Sequence, residues 1–118
     1  MRATLIALAV LAGSIVGSAL PASADDTGIA QALHQIRRVG SKTCLVDHFH
    51  DGSGNGASQK AAMADAIKNW ASFTAFEYGS DWGGYGNAVA KSASCDRGTS
   101  SFTCQVSAIP CKVGRRRR

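Results

Sequence analysis

Proline is nearly absent, with two in 118 residues, and aromatic residues make up only 7%. So little proline, with a charged fraction of 18%, excludes a disordered proline-rich or polyelectrolyte chain. Few aromatics beside thirteen glycines leave little bulk for a core and point to a small domain with many turns. Serines are plentiful, yet none sits in a Gly-x-Ser-x-Gly elbow, which removes that route to nucleophilic catalysis. No two cysteines stand closer than seven positions, so the close Cys-x2–4-Cys pairs of zinc sites are missing. A chain of 118 residues also leaves no room for a two-domain enzyme.

What is present begins with an export signal. Arg2 precedes an apolar run, Leu5 to Leu11, which continues through small residues to Leu20. Pro21 breaks it, Ala22-Ser23-Ala24 offers small side chains to a signal peptidase, and Asp25-Asp26 follow. This is the three-part pattern of a secretory leader, expected to span residues 1–24. The alternative is an uncleaved anchor, but Gly13, Ser14, Gly17, Ser18 and Pro21 thin the apolar stretch. No Arg-Arg pair precedes the run and no cysteine follows it, so export unfolded and without lipid is the expected route. After cleavage no transmembrane segment is expected.

Charge then divides the mature chain. Losing Arg2 with the leader leaves 12 basic and 8 acidic residues, and four of the twelve are Arg115, Arg116, Arg117 and Arg118. Without that tail the balance is 8 against 8, so a neutral domain over 25–113 carries a basic appendage over 114–118. Nucleic-acid binders spread basic residues over one face of the fold, so a specific nucleic-acid partner is not expected. The arginine run fits weak, salt-sensitive adhesion to an anionic envelope surface, at about 1 kcal/mol per charge.

All four cysteines fall in the exported part, and an even count in a short exported chain reads as a disulfide framework. Spacing alone leaves three pairings open. Cys95 and Cys104 lie symmetrically about a turn, which favours a bridge across that hairpin. Cys44 would then join Cys111, closing a loop of about 68 residues for about 4 kcal/mol.

The expected elements follow from periodicity. Asp26 caps a short helix with Ile29, Leu33 and Ile36 at helical spacing, Arg37 and Arg38 near its end and Gly40 as terminator. Residues 42–50 read as one strand and 51–56 as a glycine turn. Ser58 caps a main helix that runs to Tyr78 and stops at Gly79, with Met63, Ala66, Ile67, Trp70, Phe73 and Thr74 on the buried stripe. Residues 81–87 read as a loop with two aromatics, and 88–95 with 102–109 as a hairpin. The fold class predicted is α+β: a small antiparallel three-stranded sheet packed on one main helix, with a short N-terminal helix and two disulfides.

Four groups of residues are candidates for function. His48 and His50 share one face of the first strand, and with a third ligand such as His34 they would suit Zn²⁺ or Cu²⁺. Asp47 and Glu77 are the carboxylates available for acid–base work in a small hydrolase. Trp82 and Tyr85, on a glycine loop, would form an exposed stacking surface. Arg115 to Arg118 are the fourth group. No cofactor motif is present. The turn Gly54-x-Gly56-x-Ser58-x-Lys60 resembles the last turn of a double-stranded-RNA-binding domain, but it stands mid-domain in a neutral body.

Val46-Asp47-His48-Phe49-His50, the Ser58–Tyr78 helix with Trp70, Glu77-Tyr78-Gly79 and Cys95…Cys104…Pro110-Cys111 are similar to small exported bacterial proteins of uncharacterised function. That resemblance covers about residues 42–112 and implies a shared disulfide-stapled fold, with no activity attached. The function expected is a non-catalytic binding or envelope module, with a metal-binding protein using His48 and His50 as the alternative and a hydrolase third.

Overall fold

The computed structural model describes residues 24–114. Residues 1–23, which hold all but the last residue of the expected leader, and the Arg115–Arg118 run lie outside the described residues. The fold is α+β: two three-stranded antiparallel sheets, one main helix, a short N-terminal helix and two disulfides.

A second sheet arises where helix was expected to continue. Helix α1 covers only Ile29–Leu33, and its N-cap Gly28 makes no side-chain capping bond. Five residues barely exceed the costly first turn, so little drives propagation. Strand β1, Ile36–Val39, then turns through Gly40 (φ 60°) into strand β2, Lys42–Leu45. β-Branched Ile36 and Val39 suit the pleat, and Ile36 pairs with Leu45. Arg37 and Arg38 are therefore exposed strand residues, not charges at a helix end. Strand β6, Cys111–Val113, completes this sheet beside β2, and Cys44–Cys111 bridges the paired positions.

The strand expected over 42–50 is broken. Val46–Phe49 forms a loop in which Asp47 takes φ 54°, and strand β3 runs from His50 to Gly56 through the stretch read as a turn. Glycine serves close approach here. A Cβ on Gly54 would stand 2.6 Å from Ala62 O and from Asp65 C; one on Gly52 would stand 2.7 Å from Trp70 Cβ. The main helix rests directly on this strand's backbone, which only glycine permits.

Helix α2 spans Gln59–Tyr78, and Ser58 caps it by accepting from Ala61 N at 3.1 Å. Gly79 (φ 106°) ends it. Ala62, Ala66, Trp70, Thr74 and Tyr78 face inward at a spacing of four. The two alanines lie over the glycines, and the bulky residues fill the wider end. This stripe leaves Phe73 outside it at 51% exposure, a correction to the expected core. Ile67 and Met63 are half-buried.

Strands β4 (Val89–Arg97) and β5 (Phe102–Ile109) form the expected hairpin, and β5 lies between β3 and β4. Cys95 and Cys104 are opposed across it and bonded. Two 3-10 turns, Ser80–Trp82 and Tyr85–Asn87, link α2 to β4. Two small buried clusters result: Cys44, Leu45, Tyr78, Trp82 and Cys111 under the first sheet, and Trp70, Cys104, Val106 and the alanines under the second. The first holds the whole Cys44–Cys111 bridge and the second Cys104 of the Cys95–Cys104 bridge, so covalent links reinforce both thin cores.

Candidate functional site

The end of α1, the loop before β3 and the last turns of α2 meet at three histidines and a tyrosine. Val46 N donates to Gln35 O at 2.9 Å, laying the His34 segment beside the Val46–Phe49 loop. The His34 and His48 rings pack at a tilt of 31° with centroids 3.9 Å apart, and His48 lies 5.1 Å from His50. Trp70 Nε1 donates to His50 O at 2.8 Å and fixes where β3 begins.

His50 is 3% exposed and hydrogen-bonded at both ring nitrogens. The Thr74 hydroxyl donates to Trp70 O at 2.7 Å, so toward His50 Nδ1, 3.0 Å away, it acts as acceptor. That places the proton of the neutral ring on Nδ1. Nε2 is left facing the Tyr78 hydroxyl at 3.3 Å and a Glu77 carboxylate oxygen at 3.2 Å. The Tyr78 hydroxyl also meets His34 Nε2 at 2.8 Å. The polar row is therefore His34, Tyr78, His50, Thr74, with Glu77 at its side.

Burial governs the electrostatics. It holds the His50 imidazolium below the ordinary histidine range, against the pull of Glu77 and with a further push from His48 and His34. Burial and then His34 lower His48, while Glu77 opposes them. The Tyr78 phenol is pushed up to about 12 by burial and by the Glu77 charge, so it remains a hydroxyl at physiological pH.

His48 and His50 do converge, and His34 joins them. Among the described residues, however, no group of three His, Cys, Asp or Glu is placed to hold a metal ion. The geometry supplies a reason: both His50 nitrogens are engaged in hydrogen bonds within the fold. Glu77 reaches the cluster, whereas Asp47 is exposed in the loop.

Trp82 is fully buried, not an exposed stacking platform. Its ring packs against Tyr78 with centroids 6.2 Å apart and under Lys112 Nζ at 5.1 Å, while Lys112 pairs with Asp26. The glycines that suggested a flexible loop instead let the 3-10 turn press this indole into the first cluster. Tyr85 is half-buried, edge-on to Trp70 at 5.2 Å with Lys91 Nζ over its ring. Arg115 to Arg118 lie outside the described residues.

Thr74 and Tyr78 were not among the functional candidates. Their signal was nonetheless present: they continue the spacing of four from Trp70, and polar groups on a buried stripe require partners. No protein-family model, curated protein or solved structure matches the chain.

Proposed function

We propose that this chain is an exported module that acts by binding, its leader removed after Ala24, in an oxidising compartment outside the cytoplasm. Two disulfides beside thin cores support the compartment, because such bridges persist where thiols are not kept reduced. One observation carries the binding reading. Of the seven large apolar side chains exposed among the described residues, six (Ile29, Leu33, Ile36, Phe49, Phe73 and Phe76) come from the segments around the histidine cluster. Phe76 is 86% exposed and Leu33 71%. Large apolar side chains left this open are what a partner surface would cover.

The partner is a protein surface, not a bilayer. Arg37, Arg38, Asp47 and Glu77 bring both signs of charge to the segments carrying these side chains. An anionic lipid surface would repel the two carboxylates, whereas a protein can answer each charge. The Phe73→Ser/Phe76→Ser variant tests this, compared with the wild-type protein purified oxidised from its compartment. Sedimentation velocity and cross-linked capture from envelope extracts should show a complex, with itself or another protein, that the variant loses while its circular dichroism is unchanged. Equal complex formation by both proteins, or binding of both only to anionic vesicles, would overturn the reading. Non-reducing mass spectrometry of the same material tests the compartment: free thiols or an attached leader would refute export and oxidation.

A further inference from the structure

We propose that His34, Tyr78 and His50 form a proton relay that lets the buried His50 take up a proton from the surface and hold it against Glu77. The hydrogen-bond arithmetic leads there. With Nδ1–H committed to Thr74, the neutral His50 ring presents a bare lone pair at Nε2. The Tyr78 hydroxyl answers it by donating; its oxygen then accepts from His34 Nε2–H at 2.8 Å. Glu77, 3.2 Å from the same Nε2, sets a carboxylate against a lone pair, an arrangement that gains strongly once Nε2 carries hydrogen.

Uptake balances as a chain of transfers. A proton from water binds His34 at Nδ1; His34 Nε2–H passes to the Tyr78 oxygen as the Tyr78 proton passes to His50 Nε2. The products are neutral His34 protonated on Nδ1, an intact Tyr78 hydroxyl now donating to His34 Nε2, and a His50 imidazolium donating to Glu77. No tyrosinate forms. Every titratable group facing His50 fits this order. His48 and Asp51 come from its own segment, Thr74, Glu77 and Tyr78 from α2, and His34 from the end of α1. Strand β5 sets Ala108 opposite, which does not titrate. The Glu77 carboxylate lies 3.2 Å from His50 Nε2, so a proton delivered to that nitrogen is held in an ion pair.

The lowered position of His50, imposed mainly by burial, keeps it neutral near pH 7 and charges it on acidification. The site is thus a proton-binding site inside the fold, independent of what the aromatic face binds.

Histidine-labelled ¹⁵N NMR across a pH titration of the oxidised protein tests the relay. In the wild type, His34 Nε2 should change from a protonated to a bare nitrogen signal with the same midpoint at which His50 gains charge. Tyr78→Phe should uncouple the two, and Glu77→Gln should move the His50 midpoint lower. If His34 keeps one tautomer while His50 titrates, or His50 takes no proton before the domain unfolds, the relay is refuted. The wild-type titration alone decides this even where a variant folds poorly.

Discussion

Replacing Gly54 with alanine should destabilise this domain far more than a methyl group ordinarily would. The added Cβ would meet backbone atoms of α2 on three sides, Ala62 O and Asp65 C at 2.6 Å and Ala66 N closer still. Comfortable contact needs about 3.4–4 Å, so helix and strand must separate by about 1 Å or more, and no side-chain rotation relieves the clash. Overpacking of a core costs about 1–3 kcal/mol, and backbone contact places this case at the upper end. Loss of unfolded-chain freedom on Gly→Ala returns about 0.4–1 kcal/mol, leaving a net cost of about 2 kcal/mol. For a domain this small, that lowers Tm by about 8–16 °C. Thermal and urea unfolding under non-reducing conditions measure it. Gly86→Ala is the control, because a Cβ there meets nothing within 4 Å and the residue has no positive φ. A Gly54→Ala protein as stable as the Gly86→Ala control would refute the close approach of α2 to β3.

Three further outcomes are expected. Replacing Cys44 and Cys111 together by serine should cost about 4 kcal/mol, against about 2.7 kcal/mol for Cys95 and Cys104, because the first bridge closes a sequence separation of 67 and the second only 9; equal losses in urea unfolding would contradict this. Stability should fall on acidification below pH 6.5: His48 and His50 have lowered values when folded, so the unfolded chain binds more protons in that window. Each contributes a slope of at most about 1.4 kcal/mol per pH unit until its folded value is passed, and a flat pH–stability profile would refute the burial of His50. Trp82→Ala should cost about 3–5 kcal/mol, as for a buried indole, and more than Tyr85→Ala in chemical unfolding; the reverse order would return Trp82 to the surface.

Where local chemistry agreed with the tertiary contacts, the sequence alone was sufficient. Ser58, the alanine-rich run and Gly79 mark α2 at both ends, since N-capping and termination by a glycine at positive φ are short-range effects. The β4–β5 hairpin followed from alternation about a turn, and cysteine symmetry about that turn indicated the pairing. Three features were decided only when distant segments met. Gly52, Gly54 and Gly56 read locally as a turn, because nothing nearby in the chain reveals a helix lying against their backbone. Phe73 is surface because α2 buries a spacing of four set by its contact with that strand, and Trp82 is core because the 3-10 turn after α2 lays it against Tyr78. The histidine–tyrosine row joins residues 34, 50 and 78, and its protonation depends on partners that hydrogen bonding across such separations alone can assign.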